Sequence, residues 1–133
     1  MQRAVPDTSV VISSFLFPLS TPAQSIRKLE EKAVLLASEA TLAELQEVLF
    51  RPKFDRWISA AAKERVMARF TNLVEIVSIT ELVSACRDAK DDKFLSLAVS
   101  GNADLILTGD TDLLVLHPFR GINILSPVDY LNR

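Results

Sequence analysis

Acidic residues occur at four separated places in this chain, and most of them lie where an apolar stretch ends or a helix begins. The four places are Asp7, Glu44, the pair Asp91 and Asp92, and the pair Asp110 and Asp112. In an open α/β sheet, ligands bind in the crevice at the carboxyl ends of the strands. Carboxylates that converge there repel one another unless a divalent cation neutralises them. This arrangement predicts a Mg²⁺ or Mn²⁺ site, and with it chemistry on phosphate esters.

The first two acidic residues each have a structural interpretation as well. Asp7 is suited to cap the helix that we expect to start near Ser9. A glutamate in mid-helix ordinarily faces solvent, but Glu44 lies between Leu42 and Leu45 at the edge of the expected apolar stripe. An acid at the edge of a core needs a partner or a metal ion. We therefore expect both Asp7 and Glu44 to face the site.

The two acidic pairs divide between ligands and supporting residues. Carboxylates favour the first turn of a helix because they interact well with its dipole, so we assign Asp91 as the cap and Asp92 as the ligand. Asp110 directly follows a predicted strand, and Gly109 lets the backbone turn sharply. Asp112, two residues later, can point into the same crevice. We expect Asp110 and Asp112 both to be ligands, with Asp110 the stronger candidate.

Two further acidic residues are expected to lie outside the ligand set. Asp88 precedes Asp92 by four residues. It is expected on a loop surface, with an outer role at the site as the alternative. Asp104 begins a predicted strand at the opposite end of the sheet, and this position excludes it.

Other kinds of catalytic site are disfavoured. The only histidine, His117, precedes a proline in a predicted loop, and with a single cysteine, Cys86, a zinc site is not expected. No Gly-rich loop is present to cradle a phosphate, which argues against a P-loop nucleotidase. One or two Mg²⁺ ions could instead neutralise a phosphodiester and activate a water molecule. Glu44 would complete such a site as a ligand or as the base that positions the water.

Composition predicts one domain spanning residues 1–133. The chain is 49% hydrophobic, with only 3 glycines and 6 prolines, which is typical of a compact enzyme-sized domain. A lone cysteine favours a reducing compartment. No apolar run has the length of a signal peptide core or a membrane span. We therefore expect a soluble cytoplasmic protein with no membrane partner.

The charge distribution leaves room for a nucleic-acid partner. The net charge is −2, which at first argues against nucleic acid, but residues 51–70 contain six basic residues against two acidic ones. A local basic surface can steer a phosphate backbone toward an acidic site. We therefore predict that this segment borders the site and that Lys63, Arg65 and Arg69 contact the phosphate backbone of a nucleic acid. A solvated helix face is the alternative interpretation.

Hydrophobic periodicity predicts strands that alternate with helices. Strands are predicted at 3–6, 33–37, 75–79, 103–107 and 123–125, and helices at 10–17, 21–32, 38–50, 59–73, 91–100 and from 127, with a short helix or turn at 81–87. Expected helix caps are Thr21, followed by Pro22 at the first helical position, and Ser38, Ser59 and Ser126. The alternation, without hairpin signals, predicts an α/β fold with a parallel sheet covered on both faces.

The four acidic motifs, in this order, resemble those of PIN domains. Asp7-Thr8-Ser9 resembles the family's Asp-Thr-Asn, and Glu44 is similar to its helical glutamate. Residues 87–95 resemble the third acidic motif and residues 108–114 the fourth. The similarity runs from residue 4 to about residue 131. It is strongest to the branch described as toxin components of toxin–antitoxin systems.

This resemblance implies a three-layer α/β/α sandwich with a mainly parallel sheet of about five strands. It also implies metal-dependent cleavage of RNA, an antitoxin as a small protein partner, and a homodimer. With RNA as the substrate, Lys63, Arg65 and Arg69 are the predicted RNA-contact residues. The implied catalytic residues are Asp7, Glu44, Asp92 and Asp110. The implied metal ligands are Asp7, Asp92, Asp110 and Asp112, and the residues that support them are Thr8, Ser9, Thr108 and Asp91.

One departure from the family pattern keeps a second function open. Ser9 replaces the usual Asn, so a hydrogen bond from that amide to an active-site carboxylate would be shortened or lost. A non-catalytic module that binds RNA or an antitoxin is therefore an alternative. A receiver-like phosphoacceptor domain is less favoured, because the first strand offers only Asp7 and no lysine follows Lys93.

Overall fold

The computed structural model describes residues 1–133 and contains one five-stranded sheet. The strands are β1 (Gln2–Pro6), β2 (Ala33–Ala37), β3 (Glu75–Ile76), β4 (Leu105–Leu107) and β5 (Asn123–Leu125). The helices are α1 (Thr8–Leu16), α2 (Thr21–Lys32), α3 (Glu39–Leu49), α4 (Ala60–Leu73), α5 (Asp92–Ser100), α6 (Thr111–Leu114) and α7 (Pro127–Leu131). The strand order is β3-β2-β1-β4-β5.

All strand pairings in the sheet are parallel, as predicted. Ala4 of β1 pairs with Leu35 on one side and Leu105 on the other. Leu107 at the end of β4 pairs with Leu125 of β5. Because the strands run in one direction, their carboxyl ends lie at one edge of the sheet. The residues that follow β1 and β4 are therefore neighbours in space.

Both faces of the sheet are buried, which confirms the three-layer sandwich. Neighbouring strand residues point to opposite faces. Ala4 packs in one core cluster with residues of α1, α2, α3, α4 and α7. Val5 packs in the other cluster, with residues of α5 and α6. No helix in the structure has the length and apolar character needed to cross a bilayer.

Serine side chains begin most of the long helices. Ser38, Ser59 and Ser126 cap α3, α4 and α7, as predicted. The prediction for α2 was wrong by one residue: the Oγ atom of Ser20 accepts the hydrogen bond from Ala23 N at 3.2 Å. Pro22 then occupies the second helical position, where its missing N–H costs nothing because the first-turn amides have no partner within the helix.

The region between β3 and α5 is less regular than predicted. β3 ends at Ile76 rather than at residue 79, and residues 77–86 form neither helix nor strand. Side chains of α5 accept hydrogen bonds from the amides of this segment. Ser96 Oγ, for example, accepts one from Val83 N at 2.9 Å. The segment therefore needs neither a sheet neighbour nor a helical turn to satisfy these amides.

Candidate active site

Predicted site residues from four parts of the chain meet at one cavity near the carboxyl edge of the sheet. The cavity has a volume of about 820 Å³, and Asp7, Glu44, Asp91 and Asp110 line it together with Asp88. We call Asp7, Glu44, Asp91 and Asp110 the carboxylate end of the cavity. The predicted ligands Asp92 and Asp112 do not line the cavity.

Asp7 both caps a helix and faces the cavity. Its Oδ1 atom accepts hydrogen bonds from Val10 N at 2.9 Å and from Ser9 Oγ at 3.1 Å, and its Oδ2 atom accepts one from Thr108 Oγ1. Burial raises the pKa of Asp7, the three hydrogen bonds oppose that rise, and the charge of Asp110 adds to it. Ser9 therefore keeps a hydrogen bond to this carboxylate, where we had expected the bond to be shortened or lost.

Thr108 links the acids that follow β1 and β4. Its fully buried hydroxyl donates to Asp7 and accepts from Asp110 N at 2.9 Å. The Asp110 carboxylate in turn accepts a hydrogen bond from Asp112 N at 2.9 Å, which caps α6. One threonine at the end of the central strand pair thus fixes the carboxylate of Asp7 and the backbone of Asp110.

The structure differs from the sequence prediction at Asp91 and Asp92, because the carboxylate of Asp92 accepts from backbone amides and Asp91 lines the cavity. Asp92 Oδ1 accepts hydrogen bonds from Ala85 N at 3.0 Å and Cys86 N at 2.8 Å, and these bonds lower its pKa. Asp91 occupies the N-cap position of α5 but makes no capping hydrogen bond. The physical reason is the segment 77–86, which brings two free amides to Asp92 and leaves Asp91 facing the cavity.

Asp91 forms a cluster with Asp110 and Asp112, in which one oxygen of each carboxylate lies within 4.8 Å of the others. Burial raises the pKa of Asp91 to about 7, and the neighbouring carboxylates of Asp110, Asp88 and Asp112 add to the rise. The Oδ2 atom of Asp91 is buried and has no hydrogen-bond partner. An unpartnered buried oxygen among carboxylates is costly unless a cation binds there. This all-oxygen donor set fits Mg²⁺ or Mn²⁺.

Glu44 reaches the cavity from the middle of α3. Its Oε1 atom accepts from Lys93 Nζ at 2.8 Å, and its Oε2 atom accepts from Thr8 Oγ1. Sequence reasoning missed Lys93 as a partner, because the two residues are 49 positions apart and nothing in the local pattern connects them. Both carboxylate oxygens of Glu44 are thereby held in place.

Two supporting contacts surround the acidic cluster. Arg87 pairs with Asp112 through Nε at 2.9 Å and through a second guanidinium nitrogen at 3.2 Å. Asp88 Oδ1 accepts from Lys90 N at 3.0 Å, which caps a short 3-10 turn at Ala89–Asp91. Asp112 therefore already has a cationic partner, whereas Asp91 has none.

The predicted RNA-contact residues do not line the cavity. Lys63 is only 1% exposed, and its Nζ atom donates to Asp55 Oδ1 at 2.7 Å and to Arg51 O at 3.4 Å. The prediction that Lys63 contacts RNA is therefore wrong, because its charge is used inside the fold. Arg69 pairs with Glu30 at 3.5 Å, and Arg65 is exposed elsewhere. The basic residues that do line the cavity are Arg51, Lys53, Lys90 and Lys93.

Two residues placed outside the site on sequence grounds lie outside it in the structure. His117 Nδ1 accepts a hydrogen bond from Ile124 N at 2.9 Å, so the ring has a structural partner. Asp104 Oδ2 accepts one from Arg3 N at 2.9 Å, at the opposite end of the sheet from Asp110. Neither residue lines the cavity.

The amino-acid sequence matches a known family and a known relative. The sequence profile of the PIN domain matches residues 3–112. An uncharacterized protein of Methanocaldococcus jannaschii is 29% identical over 116 residues, which cover 86% of this chain and 74% of the relative.

Solved structures share the fold at low sequence identity. VapBC2 from Rickettsia felis, solved bound to a DNA fragment from their promoter, gives a TM-score of 0.65 at 13% identity, covering 94% of this chain and 98% of that chain. PAE2754 from Pyrobaculum aerophilum gives a TM-score of 0.59 at 18% identity, covering 99% of this chain and 91% of that chain. FitAB bound to a DNA fragment gives a TM-score of 0.57 at 18% identity, covering 93% of this chain and 94% of that chain. From the profile match over most of its length, the chain belongs to the PIN domain family.

Proposed function

We propose that this protein is a Mg²⁺- or Mn²⁺-dependent endoribonuclease. The observation that carries the proposal is the carboxylate end itself, where Asp7, Glu44, Asp91 and Asp110 line one cavity. The buried, unpartnered oxygen of Asp91 supports a cation at this position. Membership of the PIN domain family supports nuclease chemistry.

Asp91, Asp110 and Asp112 would hold the metal ion, with Asp7 beside them. When bound, the ion would neutralise charge on the phosphodiester and lower the pKa of a water molecule that it holds. In this assignment Asp91 replaces Asp92, whose carboxylate is occupied by two backbone amides. Thr108 holds Asp7 and the backbone of Asp110 in register, so the site is organised before substrate binds.

Glu44 is the residue best placed to orient the attacking water or accept its proton. Lys93 and Thr8 each hold one of its oxygens, which fixes the direction of the carboxylate. General-base assistance of this kind contributes roughly 10²–10⁴-fold to a rate. Lys93 and Thr8 are positioning residues in this scheme.

The biological role we propose is that of a toxin in a toxin–antitoxin pair, acting as a cytoplasmic homodimer. The resemblance of the four acidic motifs to the toxin branch of the PIN family supports it. The structural likeness to VapBC2 and FitAB, both solved bound to DNA, supports a small antitoxin as a second protein partner. A non-catalytic module that binds RNA or antitoxin is the alternative.

The test is single-turnover cleavage of a labelled single-stranded RNA by metal-stripped protein. We expect no cleavage with chelator and recovery when Mg²⁺ or Mn²⁺ is added. Asp91→Asn should abolish cleavage, and Asp92→Asn should retain most of it, because an Asn oxygen can still accept from the amides of Ala85 and Cys86. Circular dichroism checks that both variants fold. A folded wild type that binds RNA but cuts nothing at any metal concentration would favour the non-catalytic module.

A further inference from the structure

Three aromatic side chains lie close together: Phe17 at the end of α1, and Phe54 and Trp57 in the segment between α3 and α4. The rings of Phe17 and Trp57 meet edge to face with centroids 5.8 Å apart, and the rings of Phe54 and Trp57 are 6.4 Å apart. All three residues line the same cavity as the carboxylates. Phe17 is 43% exposed and Trp57 is 49% exposed. Neighbouring aromatic side chains that stay exposed beside a cavity mark an interaction surface.

Cations lie over these rings. The guanidinium of Arg56 is 4.9 Å from the centre of the Trp57 ring, and Lys53 Nζ is 5.0 Å from the centre of the Phe54 ring. Arg51 lines the cavity beside them and pairs with the exposed Glu47 at 2.8 Å. We call this surface the aromatic–basic wall; it consists of Phe17, Arg51, Lys53, Phe54, Arg56 and Trp57.

The wall lies beside the carboxylate end, along one side of α3. Glu44, Glu47, Val48 and Arg51 follow one another along the cavity at helical spacing. The four positions from Glu44 to Val48 correspond to about 6 Å along the axis of α3, and Arg51 lies just beyond the end of that helix. A ligand whose phosphate lies at the carboxylates would therefore reach the wall with the groups that flank that phosphate.

We propose that the aromatic–basic wall is a stacking subsite for an unpaired base of a single-stranded RNA substrate. The inference rests on the proposed function and adds to it the residues that hold an unpaired base of the substrate. Trp57 provides the flat apolar surface for the base, and Arg51, Lys53 and Arg56 provide positive charge for the adjoining phosphates. Bases stack on aromatic side chains only when they are unpaired and splayed out.

Charge favours a nucleic acid over a peptide as the occupant of the wall. A peptide with basic side chains would complement the carboxylate end, but Lys53 and Arg56, which have no acidic partner, would repel it at the wall. A polyanion has the opposite preference: it is attracted by the wall and needs a metal ion at the carboxylates. An RNA strand that spans the cavity would place a base on the aromatic ring at the wall. It would place a phosphate on the metal ion at the carboxylate end.

Trp57 is the only tryptophan in the chain, so its fluorescence reports directly on the wall. Protein in saturating Mg²⁺ is mixed rapidly with a short single-stranded RNA, with the same RNA as a duplex, and with an abasic ribose-phosphate strand of equal charge, and the fluorescence is read before cleavage. We expect the single strand to quench Trp57 strongly and the other two to leave it nearly unchanged. Equal quenching by the abasic strand would overturn the stacking subsite.

Substitutions separate stacking from apolar bulk. We expect Trp57→Leu to weaken binding of the labelled single strand by about 5- to 100-fold, the loss typical of removing one aromatic–base stack. Trp57→Phe should keep most of the affinity because it keeps an aromatic face. Leu82→Ala is the control, since Leu82 is 88% exposed and lies outside the cavity. Fluorescence anisotropy of the labelled RNA measures all three variants.

Cleavage kinetics distinguish this inference from the proposed function. We expect Trp57→Leu to raise KM for single-stranded RNA by a similar factor and to leave kcat within a few-fold of the wild type. A wild type that cleaves while Trp57→Leu cleaves with unchanged KM overturns the subsite and leaves the nuclease intact; the wall would then be free for a protein partner. A wild type that shows the stacking signature but never cleaves overturns the nuclease and leaves the RNA subsite standing.

Discussion

The two ends of the cavity are built in different ways. At the carboxylate end, Asp7 is 4% exposed and accepts three hydrogen bonds, one of them from the fully buried Thr108. At the aromatic–basic wall, Trp57 is 49% exposed and lies in a connecting segment after a 3-10 turn at Pro52–Phe54. At the first end, Asp7 and Asp110 follow strands of the central sheet and two helices position Glu44 and Asp91, whereas Trp57 at the second end belongs to a surface segment.

This difference suggests that one end of the cavity serves catalysis and the other serves substrate binding. Groups that act on a reacting bond need fixed geometry, which strand ends supply. Groups that select a flexible substrate can lie on connecting segments, where binding residues are commonly found. We therefore expect substitutions at the carboxylate end to lower the rate of the chemical step. Substitutions at the aromatic–basic wall should lower affinity instead.

The largest effect should come from removing a ligand. We expect Asp110→Asn to reduce single-turnover RNA cleavage by roughly three orders of magnitude, because it removes one negative charge from the cluster that binds the metal ion. Thermal stability of the metal-free variant should rise or stay the same, since repulsion with Asp91 is relieved. Cleavage rates and thermal melts measure the two effects.

Asp104→Asn is the matched control for Asp110→Asn. Asp104 precedes β4 as Asp110 follows it, and an Asn oxygen can still accept the hydrogen bond from Arg3 N. Cleavage by this variant should match the wild type. Equal losses in the two variants would mean that acidic residues act through overall charge and not through the carboxylate end.

Glu44→Gln should have the next largest effect. The glutamine keeps the shape and helix propensity of glutamate but loses the charge that Lys93 and Thr8 hold in place. We expect cleavage to fall by about two orders of magnitude while RNA affinity changes little. Glu39→Gln, on the exposed first turn of the same helix, is the control. A folded Glu44→Gln protein that cuts at the parental rate would remove Glu44 from the mechanism.

The sequence predicted those parts of the site that depend on strand ends. Asp7 and Asp110 each follow an apolar strand, and parallel strands bring such residues to one edge whatever the details of packing. The choice between Asp91 and Asp92 could not be made in this way. Adjacent residues in a helix point about 100° apart. Which of them faces the cavity depends on the amides of Ala85 and Cys86, whose segment has no periodic pattern.

Lys63 and Trp57 show a second limit of sequence reasoning. Charge counting treats every lysine as exposed, but Lys63 is buried because Asp55 and the Arg51 carbonyl satisfy its ammonium group. The useful signal in this region was the interleaving of aromatic and basic residues from Arg51 to Trp57. Counting net charge over residues 51–70 obscured that signal.

Within that basic segment, the variants should separate stability from binding. We expect Lys63→Ala to destabilise the fold by about 2 kcal/mol, because it removes a buried stem and a charge-assisted hydrogen bond. Its RNA affinity should match the wild type.

Arg56→Gln should weaken RNA binding and reduce its salt dependence while leaving stability unchanged. Arg65→Gln, exposed and away from the cavity, is the control. Denaturant melts and salt-dependent binding measure each quantity.

The smallest predicted effect is a pH dependence of stability. The pKa of Asp91 is raised from 3.8 to about 7 in the folded protein, so the native state holds more protons than the unfolded chain between those values. The contribution of Asp91 to the stability of the metal-free protein should therefore be fully present below about pH 4 and be lost as pH rises toward about 7. Asp7, whose pKa burial also raises, contributes in the same direction.

The expected size is a few degrees in Tm across that range. Asp91→Asn should flatten the decline without abolishing it, because Asp7 remains. Saturating Mg²⁺ should reverse the trend, since the ion binds only the ionised carboxylates. Thermal melts at several pH values, with chelator and with Mg²⁺, provide the measurement. A metal-free protein that gains stability as pH rises from about 4 to 7 would contradict the raised pKa of Asp91.

In the proposed mechanism, a divalent cation binds at Asp91, Asp110 and Asp112. An anomalous difference map from crystals grown with Mn²⁺ tests it most directly, because Mn²⁺ replaces Mg²⁺ at oxygen sites and scatters anomalously. We predict a peak bonded to a carboxylate oxygen of Asp91 and of Asp110, with no peak at Asp92. A protein that cleaves RNA in Mn²⁺ yet shows no Mn²⁺ at the carboxylate end would contradict the account.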